Sequence, residues 1–355
     1  MKKILYLTNC EVPYRVRMFN ELAKYCNLTV VYERKKSSNR NADWTASETK
    51  NYDVRYLRGI KLKRESSFSL GIVKYIFSKP DYIIVGCYNS PIQMFAILLM
   101  KLFRIPYIVN LDGEPFLTGK GLKTKLKKFF LFGANKYLVA GKMATNKLKK
   151  IIKNKECFSY GFTSLSEKEL RAHSCIKNER NNTVLVVGQY FDYKGLDVAL
   201  NAARKDESIQ YKFVGMGNRT DLFIKQQKTD ELANVEVVSF LSKDELEKEY
   251  QKCAMLVLPS RQECWGLVIN EAASFGTPIV STWGSGAAVE FLSGRYSRYL
   301  AKAGDIDDLY QRIKGLFNEK DINEYSQYLI NKSAEYSLEK SVDAHLKALK
   351  ISKGN

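Results

Sequence analysis

The sequence predicts an α/β protein built from two doubly wound, Rossmann-like domains in series. At 355 residues it exceeds the roughly 250–300 residues at which a single hydrophobic core stops growing. Short apolar runs of strand length alternate with helical stretches, the pattern of a parallel sheet covered by helices on both faces. That alternation occurs twice, on either side of a polar segment at residues 177–182 that reads as a linker.

In chain order, the first set of strands is expected at residues 4–8, 28–32, 82–85, 107–111 and 137–139, with helices such as 17–24 and 93–103 between them. The apolar opening at Ile4 to Leu7 is too short for a secretory leader, and Asn9, Glu11 and Arg15 follow it, so it reads as a first strand. Residues 92–100 are strongly apolar but fall short of the roughly 20 needed to cross a bilayer. The second set is expected at 183–187, 211–214, 235–239, 255–258 and 278–281. The domain boundaries are therefore placed at 1–177 and 178–337. Ligands of such sheets lie beyond the carboxyl ends of the strands, so a cleft between the two domains is the expected active site.

Charge divides the chain in the same way. There are 57 basic and 38 acidic side chains, a net +19. Residues 1–180 hold 35 basic against 14 acidic, or +21, and the remainder holds 22 against 24, or −2. A polyanion on the N-terminal side is implied, either nucleic acid or an anionic membrane. Seven cysteines without a CxxC pair, and only two histidines, His173 and His345, argue against a structural zinc and for reduced cytosolic thiols.

The chemistry concentrates in residues 259–290. An apolar strand ends at Leu258, a Pro-Ser turn follows, and a helix is expected near Gly266 that carries Leu267, Val268, Ile269, Ala272 and Ala273 inward. Glu263 precedes that helix and Glu271 lies within it. The unpartnered amides of a first helical turn, here those of Gly266, Leu267 and Val268, favour an anion. An anion with hydroxyls on both sides, such as a nucleotide sugar, fits between two carboxylates.

Glu263, seven intervening residues, Glu271, then Phe275-Gly276-Thr277-Pro278-Ile279-Val280 and a Gly-rich turn ending at Glu290 resemble the donor-site signature of family 4 glycosyltransferases. These are retaining enzymes of the GT-B fold, two Rossmann-like domains facing each other across a cleft. Val186-Val187-Gly188-Gln189-Tyr190 and Lys194-Gly195-Leu196 are similar to the family's strand, Gly-Arg turn and phosphate-binding Lys, with Gln189 standing where Arg is usual. The resemblance implies that Glu271 accepts hydrogen bonds from ribose hydroxyls, Glu263 meets hydroxyls of the transferred sugar, and Lys194 neutralises the departing diphosphate. Arg261 is the expected substitute for the guanidinium that Gln189 lacks. Helix-capping or surface duty is the alternative for the two glutamates. The last helix, 338–355, is expected to return to the N-terminal domain.

In the N-terminal half, the first turn holds Tyr14, Arg15 and Arg17, which the resemblance places beside the acceptor, the two arginines binding a phosphate on it. Solvated charges at a helix start are the alternative. Asp112, after the strand ending Asn110-Leu111, is the candidate for holding the transferred sugar or the attacking hydroxyl, or else a turn aspartate. Residues 120–132 set Lys123, Lys127 and Lys128 beside Leu122, Leu126, Phe129 and Phe130, a basic amphipathic helix suited to a membrane interface. An ordinary surface helix is the alternative. Val214-Gly215-Met216-Gly217-Asn218 resembles a dinucleotide fingerprint without its last glycine, and the family resemblance implies that Gly215 shapes a turn near the base or phosphate. Asp305-Ile306-Asp307 has the form of a metal-binding DxD, but its Gly-Asp turn before a helix points to N-cap duty, so no metal or other cofactor is expected.

Within the resemblance, the YERKKSSNRNADW and GFTSLSE segments look like those of bacterial enzymes that build surface polysaccharides. The expected partners are a UDP- or GDP-sugar, a polyprenyl-diphosphate-linked or other saccharide acceptor, and the inner face of the cytoplasmic membrane, met by the basic domain. The competing readings are a basic nucleic-acid or polyanion-binding α/β protein, which lacks a recognition motif, and a nicotinamide dehydrogenase, which lacks a complete glycine fingerprint.

Overall fold

A computed structural model describes residues 1–35, 49–63, 66–113, 121–152, 154–173 and 179–353. The chain forms two compact units, Met1–Ser164 together with Leu338–Asn355, and Leu165–Ser337.

The first unit runs β1 (Lys3–Cys10), α1 (Pro13–Leu22), β2 (Asn27–Arg34), β3 (Asp53–Tyr56), β4 (Ile60–Lys63), β5 (Ser66–Phe68), α2 (Ile72–Ile76) and β6 (Tyr82–Val85). It continues with α3 (Pro91–Leu102), β7 (Ile108–Leu111), α4 (Leu122–Leu131), β8 (Lys136–Ala140), α5 (Lys142–Ile151) and β9 (Glu156–Tyr160). Seven strands make one parallel sheet in the order β3-β2-β1-β6-β7-β8-β9, and β4 and β5 form a separate antiparallel hairpin.

The second unit runs α6 (Glu167–His173), β10 (Thr183–Val187), α7 (Leu196–Ala203), β11 (Gln210–Val214), α8 (Thr220–Gln227), β12 (Val235–Val238) and α9 (Lys243–Lys252). Then follow β13 (Met255–Leu258), α10 (Leu267–Ser274), β14 (Ile279–Thr282), α11 (Gly286–Phe291), β15 (Leu300–Ala301), α12 (Ile306–Phe317) and α13 (Ile322–Ser333). Its sheet is parallel throughout, in the order β12-β11-β10-β13-β14-β15. Helices on both faces leave no solvated side to the inner strands, so Val184 to Val187 and Met255 to Leu258 are apolar without alternation and all buried. In each sheet the strand order reverses beside the first strand, at β1/β6 and at β10/β13. The carboxyl ends at these switch points are where ligands of open α/β sheets bind.

One boundary differs from expectation, and the return of the chain's last helix to the first unit does not. The expected division after residue 177 falls earlier, after Ser164, because α6 is anchored on the second unit. His173 stacks on Phe275 with ring centroids 4.0 Å apart, and Lys243 pairs with Glu169 at 2.7 Å. Residues 177 and 178 of the expected linker lie outside the described residues. The chain then ends in α14 (Leu338–Ala348), which packs on α1, β8 and β9 of the first unit. Its terminal carbonyls take bonds from lysines of that unit, Lys136 Nζ to Ala348 O at 3.0 Å and Lys2 Nζ to Leu349 O at 3.2 Å, the pairing a helix C-terminus favours.

Candidate active site

In the second unit, the chain leaving β13 threads between two turns. On one side the Arg261 and Gln262 amides donate to Tyr193 O at 2.9 and 3.1 Å. On the other, the Glu263 amide donates to Gly284 O at 2.8 Å and the Gly286 amide to Glu263 O at 3.2 Å. The passage is too narrow for side chains on its walls. Gly195 holds φ +67°, and a Cβ there would run into the Pro259 carbonyl, so both conformation and space demand glycine. Gly266, at φ +106°, turns the loop into the first residue of α10.

This threading brings together residues distant in sequence. Lys194, at the end of a 3-10 turn after β10, forms an ion pair with Glu263. The Glu271 carboxylate accepts a hydrogen bond from Tyr250 Oη at 3.0 Å. Burial, and then the Glu271 charge, push the Tyr250 phenol well above its usual pKa, so it stays a donor. Trp265, buried, donates Nε1–H to Asn270 Oδ1 at 2.8 Å and pins the start of α10. Two oriented carboxylates and the first-turn amides of Gly266, Leu267 and Val268 thus lie along one loop and helix, with the Lys194 ammonium brought to Glu263 from the turn after β10. Gly188 and Gly215 are in contact at the ends of β10 and β11, where a Cβ on Gly215 would lie 3.7 Å from Gly188 N.

Arg261 is not a free cation. Its guanidinium grips Asp197 through two bonds, 2.8 and 2.6 Å, and donates to Asp192 O at 2.7 Å. Burial alone would raise the Asp197 carboxyl; the guanidinium outweighs it and holds that carboxyl below its usual pKa. Arg261 therefore ties the loop to the start of α7. Arg219 was missed by the sequence reading although it stands two residues after the Gly-x-Gly turn. It donates to Tyr190 O, the neighbour of Gln189, at 3.1 Å and lies 4.1 Å from the Phe191 ring centroid. Tyr250 was missed as well, since nothing in its local sequence on α9 marks it as the partner of Glu271.

The first unit holds a second polar cluster at the ends of β1, β7 and β9. Arg15 is 4% exposed, which rules out the alternative of a solvated charge at a helix start. It forms an ion pair with Asp112 and donates to Tyr6 Oη at 2.8 Å. Tyr160 Oη lies 3.1 Å from Asp112 Oδ1 and accepts from Asn110 Nδ2 at 2.8 Å. Tyr6 Oη donates to Asn110 Oδ1 at 2.6 Å. Asp112, one-third exposed, is the member of this network that reaches solvent. His345 enters it from α14, with Nε2 3.3 Å from Asn110 Oδ1 and Nδ1 2.8 Å from Ser341 O. Its place in a two-histidine sequence was the signal available. Arg17 donates to Ser164 O, and Tyr14 packs edge-on against Phe162 with centroids 5.0 Å apart.

On α4, Leu122, Leu126 and Phe129 are exposed beside exposed Lys125, Lys127 and Lys128, while Phe130 and Leu131 are buried. Lys120 lies outside the described residues, and Lys123 is described only as part of the helix. No helix among the described residues is long and apolar enough to cross a membrane. The Asp305 carboxylate caps α12, accepting from Asp308 N at 3.0 Å. Among the described residues no group of three or more His, Cys, Asp or Glu side chains is placed to hold a metal ion.

The family model for glycosyl transferases group 1 matches residues 167–351. The chain belongs to this family. An uncharacterized glycosyltransferase of Methanocaldococcus jannaschii is 27% identical over 286 residues, 78% of each chain. An uncharacterized 41.2 kDa protein in the cps region of Klebsiella pneumoniae is 32% identical over 137 residues, 37% of each chain. Among solved structures, HepE of Anabaena in complex with UDP superposes with a TM-score of 0.75 at 13% identity, covering 98% of this chain and 99% of that one. The two Rossmann-like units are therefore those of a GT-B glycosyltransferase.

Proposed function

We propose that the protein transfers a sugar, with retention of anomeric configuration, from a UDP- or GDP-sugar to a hydroxyl of a saccharide acceptor. The observation that carries this reading is the joint placement of Lys194, Glu263 and Glu271 around the start of α10. Lys194 and the amides of Gly266, Leu267 and Val268 stabilise the departing diphosphate. Glu271, aimed by Tyr250, takes the ribose hydroxyls, and Glu263 takes hydroxyls of the moving sugar. The bond from the anomeric carbon to phosphate breaks and the acceptor oxygen joins that carbon on the same face, its proton passing to the departing phosphate. Asp112 is the first unit's contribution, a carboxylate held by Arg15 and Tyr160 toward a sugar or acceptor hydroxyl.

HepE structures with UDP and with UDP-glucose support a nucleotide-sugar donor, and the Klebsiella relative's cps region supports surface polysaccharide as the product. The acceptor proposed is polyprenyl-diphosphate-linked, reached at the inner face of the cytoplasmic membrane by α4, whose lysines would each contribute about 1 kcal/mol near an anionic leaflet. Sugar transfer is tested by supplying UDP- and GDP-sugars with synthetic lipid-linked acceptors and reading the new linkage by NMR. An anomeric coupling matching that of the donor is expected; an inverted product would overturn the retaining mechanism.

A further inference from the structure

The second unit presents three cations around the turns after β10, β11 and β13, and their partners separate them. Lys194 is paired with the Glu263 carboxylate. Arg261 is bound bidentate by Asp197, with Asp192 Oδ1 3.6 Å away. Arg219 meets a carbonyl, Tyr190 O at 3.1 Å, and an aromatic face, Phe191, and among the described residues it meets no carboxylate. Of the three, it alone keeps an uncompensated full charge.

Its position is held from two directions. The Tyr190 carbonyl takes one of five guanidinium donors, which fixes the group beside the Gly188-Gln189 turn and leaves the others to a ligand. The guanidinium lies over the Phe191 ring, which is stacked in turn on Tyr193 with centroids 5.5 Å apart and planes 16° from parallel. An aromatic face orients a guanidinium without neutralising it. The pile Arg219, Phe191, Tyr193 spans the short turn that ends in Lys194. A diphosphate at this end of the sheet carries more negative charge than one ammonium already shared with Glu263 offsets.

We propose that Arg219 is the guanidinium that binds the donor diphosphate, doing from the β11–α8 turn what neither Gln189 nor Arg261 is free to do. The proposal rests on the nucleotide-sugar reading above and adds the residue that recognises its phosphates. Planar guanidinium donors suit two phosphate oxygens at once, which an ammonium does not.

The test is calorimetric binding of UDP and UMP, with GDP and GMP in their place where the uridine nucleotides do not bind, to the full chain. Wild type is expected to bind the diphosphate more tightly than the monophosphate. Arg219→Gln keeps a donor for the Tyr190 carbonyl and removes the charge; it should weaken the diphosphate by about tenfold or more while changing the monophosphate much less. Arg219→Lys restores charge without the fork and should fall between the two. Thermal midpoints of the ligand-free variants monitor the fold. If Arg219→Gln weakens both nucleotides equally, or neither, Arg219 is only a prop for the turn and the proposal is overturned. Wild type binding no nucleotide would instead refute the donor reading on which it stands.

Discussion

Tyr250 shows how much of this site depends on single hydrogen bonds. Its hydroxyl is the donor that aims Glu271, and a bond to a charged group contributes about 1.5 kcal/mol or more, roughly tenfold in an equilibrium. Tyr250→Phe should therefore raise the donor KM about three- to tenfold with little change in kcat, read by initial rates at saturating acceptor. An unchanged KM would mean that packing alone orients Glu271. His345 makes a prediction in pH. Burial, and less strongly the Arg15 charge, lower its pKa from 6.5 to about 4. Between these values the unfolded chain binds a proton that the folded one excludes, so the stability from neutral His345 is complete above about pH 6.5 and is lost as pH falls toward 4. The shift corresponds to at most about 3 kcal/mol. Urea unfolding of wild type and His345→Gln at pH 7 and pH 4.5 should show a smaller acid loss in the variant; parallel losses would assign the effect elsewhere, for example to His173, whose pKa burial also lowers.

Among the strands, those legible in the sequence were the inner ones and the edge strand β12, whose Val235, Val237 and Val238 keep its run apolar. Val184 to Val187 and Met255 to Leu258 announce themselves because no solvated face interrupts them. The edge strands β3, β9 and β15 and the β4–β5 hairpin did not, since edge positions admit Asp53, Arg55 and Glu156 and lose the apolar run. The glutamate pair was singled out by its place around a helix start, and Lys194 by the family resemblance. Their supports were not, because Tyr250, Arg219 and the Asp197 clamp on Arg261 reach the loop from other elements, and no local pattern encodes such tertiary contacts. The alternative of a solvated Arg15 fails for the same reason: a charge beside a turn reads as solvated until Asp112 and Tyr6 are seen around it. The turn between β10 and α7 offers the sharpest test at this scale. Gly195→Ala combines a left-handed backbone, costing about 1–2 kcal/mol for a residue with Cβ, with a clash against the Pro259 carbonyl. It should lower the thermal midpoint by several degrees and cut donor turnover through displacement of Lys194. A variant as stable and active as wild type would show that the loop can step aside.

For the whole molecule, the two-unit plan and its charge asymmetry were both readable, the former from repeated alternation and the latter by counting. The role of the chain's end became physical only in three dimensions, where α14 packs on α1, β8 and β9 and lends His345 to the first unit. Removing residues 338–355 should destabilise that unit selectively, seen as faster amide exchange in β8 and β9 with β10 and β13 unchanged; uniform protection would contradict the packing. The basic face predicts that the protein floats with vesicles containing anionic lipid, less at high salt, and that Leu126→Glu with Phe129→Glu abolishes flotation; salt-insensitive binding to neutral vesicles would contradict it. The most direct measurement of all is the thermal midpoint against a panel of UDP- and GDP-sugars, with and without EDTA, for wild type and Glu271→Ala. A ligand at a hundredfold its Kd adds about 2.7 kcal/mol to the folded state, so one nucleotide class should raise the wild-type midpoint, equally with EDTA, and leave the variant unmoved. A folded wild type that responds to none of them would contradict the donor site proposed at Lys194, Glu263 and Glu271.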